Sequence, residues 1–197
     1  MQPADNATAS ADGDMNMIVA SPQDCGMDGG EYCAIWLGPE MPGDQRSDNA
    51  RSACFTSAIL TEDTDIVGAP SVRLRLCADA PAAQIAVRLN HIHPDGAATR
   101  ITYGVLNLAH RNGHHAADSL TPGKATEITL DLDHIAYRVP AGHRINIAVS
   151  SAYWPLIWPS PTPVSLTLLA GSLGLPTRPS GDADERQFGQ AEADAPW

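Results

Sequence analysis

Basic residues are scarce: Lys and Arg number 12 against 23 Asp and Glu, leaving a formal charge of −11 over 197 residues. Such a chain repels phosphate backbones, and no Lys/Arg cluster offers the counterion release that drives nucleic-acid binding. Nucleic acid is therefore excluded as a partner. Long apolar runs are missing too. The longest near the N-terminus, Met17 to Ala20, is too short for a signal-peptide core, and no stretch could span a bilayer as a helix, which predicts no membrane partner and a cytoplasmic location. Cysteine is sparse: Cys25, Cys33, Cys54 and Cys77 lack the paired close spacing of a zinc site and are too few for a disulfide scaffold. Buried free thiols and a short Cys25–Cys33 loop both remain open.

What is present favours strands. The chain is 43% hydrophobic and long enough for one domain burying about 70% of its unfolded surface. Its 16 Gly and 16 Pro penalise helix interiors and punctuate the chain with turns. A period of two runs through Val72, Leu74 and Leu76, through Ile85, Val87 and Leu89, and through Ile101, Tyr103 and Val105. There the apolar phase slips to Leu106 and Leu108, which predicts a β-bulge near Gly104. Alternation returns at Ile128, Leu130 and Leu132, at Ile145, Ile147 and Val149, and at Val164, Leu166 and Leu168. Pro94-Asp95-Gly96 predicts a hairpin turn, with Pro presetting φ and Gly accepting a positive one. About seven strands without helical periods between them predict an all-β fold, two antiparallel sheets packed as a β-sandwich or jelly roll. Residues 1–24 and 177–197 are polar and aperiodic and read as a flexible connector and an acidic tail around a domain at 25–176.

The search for chemistry finds little. No Gly-x-Ser-x-Gly elbow occurs, and Gly171-Ser172-Leu173-Gly174 has the wrong spacing and reads as a turn. His91 and His93 share one strand face, with Asp95 close behind, but a third convergent ligand is not identifiable, so neither a metal nor another cofactor is expected. His110, His114 and His115 read as a solvated loop. Trp154 and Trp158, among Pro155, Pro159, Pro161 and Pro163, fit either a sugar-stacking platform or rings packed against the sandwich or a neighbouring domain.

Several segments in order resemble one family: Gly43-Asp44-Gln45-Arg46, the Pro94-Asp95-Gly96 turn, Tyr103-Gly104-Val105-Leu106-Asn107-Leu108 with His110-Arg111, Pro140-Ala141-Gly142-His143-Arg144-Ile145, and Ser150-Ser151-Ala152-Tyr153-Trp154-Pro155. They are similar to the C-terminal domain of the cocaine-esterase and X-Pro dipeptidyl-peptidase group of serine hydrolases. The resemblance implies a galactose-binding-like jelly roll packed on an α/β-hydrolase domain and a helical cap, with the triad on the hydrolase domain and no catalytic residue here. It places Tyr32, Ile35, Trp36 and Leu37 at the pocket or the domain interface. Strands that the family carries before this point would leave an edge open to self-association. A carbohydrate- or ligand-binding sandwich is the alternative function.

Overall fold

A computed structural model describes residues 5–11, 15–31 and 41–179. Eleven strands follow in order: β1 (Asp5–Ala11), β2 (Met17–Val19), β3 (Ala53–Thr56), β4 (Thr64–Gly68), β5 (Ser71–Ala78), β6 (Gln84–Ile92), β7 (Ala98–Asn107), β8 (Thr126–Asp131), β9 (Ile135–Val139), β10 (Arg144–Ser150) and β11 (Leu166–Arg178). A single α-helical turn, α1 (Arg46–Asn49), leads into β3. No helix among the described residues is long and apolar enough to cross a membrane.

The strands form two antiparallel sheets. One is ordered β8-β5-β11-β4-β9, with β1 and β2 also paired to β11; the other is ordered β3-β10-β6-β7. The alternation in β5, β6, β8 and β10 turns Val72, Leu74, Leu76, Ile85, Val87, Leu89, Ile128, Leu130, Ile145, Ile147 and Val149 into one buried cluster between the sheets. This is the expected β-sandwich.

Local expectations fare differently. The β6–β7 turn forms as read: Gly96 has φ 87°, and the Asp95 carboxylate accepts the Ala97 amide at 3.0 Å. The bulge lies at Ile101 rather than near Gly104, because Leu89 pairs with Thr102 while Asn90 pairs with Arg100. Thr102, Gly104 and Leu106 therefore face inward opposite Leu89, Val87 and Ile85, and Tyr103 and Val105 lie on the outer face. Gly104 answers a different need, since a Cβ there would come within 2.9 Å of Leu132. The segment expected to be a turn at Gly171-Ser172-Leu173-Gly174 lies inside the 13-residue β11. Glycine fits there because the Leu74 side chain lies across Gly171, leaving 2.7 Å for a Cβ. The N-terminal connector is corrected as well: the polar Asp5–Ala11 and the apolar Met17–Val19 both pair antiparallel along β11, which takes up one backbone edge of each.

Candidate functional site

The outer face of the four-stranded sheet carries Arg88 and Asn90 on β6 and Asn146 on β10, all buried. Two loop segments and α1 cover them. Asp48 of α1 is 1% exposed and accepts the Gly26 amide at 2.8 Å and the Asp28 amide at 3.0 Å on its two oxygens. Its Oδ2 lies 3.6 Å from Nη1 of the fully buried Arg88, an ionic contact rather than a hydrogen bond. Arg88 Nη2 donates to Ser52 Oγ at 2.7 Å, and Asn90 Nδ2 donates to Asn146 at 3.1 Å and to Asn49 at 3.2 Å.

The motifs that carried the resemblance work in the same covering. Buried Gln45 donates from Nε2 to the Asp28 carbonyl at 2.6 Å and the Gly43 carbonyl at 2.9 Å, locking the two segments together. Arg100 donates to the Gly29 carbonyl at 2.8 Å and to the Tyr153 hydroxyl, with its guanidinium 4.6 Å from the Tyr103 ring centre. Gly26 adopts φ 115°, and a Cβ there would meet the Trp154 carbonyl at 2.6 Å. Described residues Glu31 and Met41 flank residues 32–40 in sequence. Tyr32, Ile35, Trp36 and Leu37 themselves, with Cys33, lie outside the described residues. Met27 and Met41, on the two roots of that segment, are 60% and 72% exposed.

The histidines do converge. His91, on the inner face at the end of β6, bonds Tyr137 of β9 through Nδ1 at 2.9 Å and His143 through Nε2 at 2.6 Å. His93 stacks on His91 with ring centres 4.1 Å apart and bonds Thr99 through Nε2 at 3.0 Å. The third partner is thus His143, from the turn before β10, and not Asp95, whose carboxylate caps its own turn. Sequence spacing could not find it: 52 residues separate it from His91, and only the β6–β10 pairing brings it back.

Trp154 and Trp158 meet edge to face at 80°, so their rings do not form one flat platform, although Trp158 is 80% exposed. They line a cleft of about 620 Å³ with Gln23, Asp24 and Ser160. Cys25 and Cys54 are free thiols held protonated, each pushed up by burial. Among the described residues, no Ser hydroxyl or Cys thiol is hydrogen-bonded to a histidine, so no nucleophile–base pair of the hydrolytic kind is assembled.

Fold and site together define an antiparallel β-sandwich domain whose buried polar residues hold its own loops in place. The family model described as the X-Pro dipeptidyl-peptidase C-terminal non-catalytic domain matches residues 2–192. This chain belongs to that family. Cocaine esterase of Rhodococcus sp. (strain MB1 Bresler) is 27% identical over 120 residues, covering 60% of this chain and 21% of that protein. A putative serine esterase of Mycobacterium bovis is also 27% identical, over 55% of this chain and 20% of its own length. The chain thus spans about a fifth of the curated relatives it matches. Among solved structures, an aminopeptidase from a marine sediment archaeon, Thaumarchaeota archaeon, aligns with a TM-score of 0.72 at 18% identity, over 91% of this chain and 34% of that one. An α-amino acid ester hydrolase aligns at 0.65 and 20% identity, over 68% and 27%. Both share the fold.

Proposed function

We propose that this chain acts as the accessory β-sandwich of a serine hydrolase, packing on an α/β-hydrolase catalytic domain and a helical cap and helping to wall the substrate pocket. The observation that carries the reading is the match, over nearly the whole chain, to a non-catalytic domain found in proteins several times longer. The covered face of the four-stranded sheet supports it. Its hydrogen bonds from Gln45 join Asp28 and Gly43, in the described segments that flank residues 32–40 in sequence, near the exposed Met27 and Met41. A rigid wall positions an ester or X-Pro amide for attack without touching the reacting atoms. Serine esterase and aminopeptidase chemistry are both compatible with it.

The test compares a hydrolase domain and cap of the family with and without this domain joined to them, using p-nitrophenyl esters and X-Pro p-nitroanilides. The account expects turnover to need the hydrolase domain and kcat/KM to fall when the sandwich is removed. Trp36→Ala in the complete protein should raise KM or loosen docking, read by sedimentation, with active-site titration unchanged. Unaltered kinetics and no association of the parts would sink it. The carbohydrate-binding alternative has one observation in its favour, the exposed Trp158 beside the cleft, and predicts glycan binding that disappears in Trp158→Ala.

A further inference from the structure

Three imidazoles meet where the β6–β7 turn and the β9–β10 turn come together at one end of the sandwich. Each offers a ring nitrogen, and the three nitrogens lie within 4.8 Å of one another. No carboxylate among the described residues is bonded to any of these rings, so the cluster is not a charge-balanced ion-pair network. We propose that His91, His93 and His143 bind one borderline divalent transition-metal ion of the zinc or copper class, tying the β6–β7 turn to the β9–β10 turn.

The surroundings orient the donors as a metal site requires. Tyr137 takes up Nδ1 of His91 and leaves Nε2 aimed at His143; Thr99 takes up Nε2 of His93 and leaves Nδ1 free. Outer partners of this kind fix the ring tautomer and orientation of ligating histidines. Zn–N bonds of about 2.0–2.1 Å put two nitrogens of a tetrahedral site roughly 3.3 Å apart. The His91–His143 pair stands at 2.6 Å and the widest pair within 4.8 Å, so one must open and the other close by modest ring rotations. His93 and His143 are half-buried and free to make them, while His91 is the anchored member at 4% exposure.

Three nitrogen donors without a carboxylate suit zinc, copper(II) or nickel(II) rather than calcium or magnesium. Three protein donors would leave a tetrahedral ion one further position, for water. The Asp95 carboxylate, close by in sequence, is committed to the Ala97 amide. The inference is therefore of binding and of a cross-link between turns, not of hydrolysis.

The test uses the untagged 197-residue chain after chelator treatment, titrated with Zn2+ by calorimetry and with Co2+ by visible absorption. The expected result is one equivalent bound, with tetrahedral cobalt bands and a raised Tm. His143→Ala and His93→Ala, both at half-exposed positions, should each weaken binding at least about 10-fold, and Tyr137→Phe about 10-fold through the tautomer alone. The double variant His114→Ala/His115→Ala should leave binding unchanged. Ring nitrogen NMR signals of His91, His93 and His143 should shift together on metal addition. Absence of binding at micromolar free metal, or affinity unchanged in both His143→Ala and His93→Ala, would overturn the assignment.

Discussion

The two faces of the four-stranded sheet are both buried, and they are buried by opposite means. On the inner face Ile85, Val87 and Leu89 meet Ile145, Ile147 and Val149 and the apolar strands of the other sheet, where any side chain of similar volume and polarity serves. On the outer face Arg88, Asn90 and Asn146 are covered by α1 and by the residues flanking 32–40, and each needs a particular partner. Apolar burial tolerates substitution; polar burial couples residues together. The outer arrangement fixes how the covering segments lie.

That contrast can be broken most forcefully at Asp48. Asp48→Ala strands the Arg88 charge in a dry site and orphans the Gly26 and Asp28 amides, with an expected loss of about 3–5 kcal/mol in urea unfolding. Replacing the pair together, as Arg88→Met with Asp48→Asn, should cost clearly less than Asp48→Ala, because no uncompensated charge remains and one amide acceptor is kept. On the inner face Leu89→Ala should cost about 2–5 kcal/mol as a cavity, and combining it with Arg88→Met should fall short of simple additivity only slightly, since the two side chains sit on opposite faces. Gly171→Ala comes next, at about 1–3 kcal/mol, because Leu74 must move to admit the methyl group.

The smallest effect belongs to Asp44 at the margin of the covering. Its partial desolvation acts upward on the carboxyl, but hydrogen bonds from the Arg46 amide and side chain and from the Ala98 amide outweigh that and hold the pKa below the usual carboxylate value. A folded pKa below the unfolded one means that its contribution is complete above the unfolded value, near pH 4, and is lost as pH falls through the folded value. Asp44→Asn should therefore lower Tm slightly at neutral pH and flatten the acid limb of stability against pH. An unchanged acid limb would show that the covering does not use this group.

The same contrast explains what the sequence disclosed. Inner-face strands announce themselves by alternation, and β5, β6, β8 and β10 were legible for that reason. Strands with few alternating apolar positions were not. β1 carries Asp, Asn, Thr and Ser, β4 has only Ile66 fully buried, and β9 offers its alternation, Ile135, Tyr137 and Val139, over just five residues. Outer-face burial leaves no period either, since Arg88 and Asn90 read as ordinary solvent-facing positions of an alternating strand. The motifs Gly43-Asp44-Gln45-Arg46 and Gly142-His143-Arg144 pointed to the family, yet their physical work became visible only with the covering and the strand pairing in place. His91 and His93 could be seen as a pair, whereas His143 joins them through tertiary structure.

The central claim, that this sandwich serves a hydrolase without carrying its chemistry, is tested most directly with a fluorophosphonate serine probe. Applied to the 197-residue chain alone and to the chain joined to the hydrolase domain that the proposal assigns to it, the probe should label only the latter, on a serine outside these 197 residues. Stoichiometric labelling of a serine within the chain itself, with turnover of an ester substrate, would contradict the account.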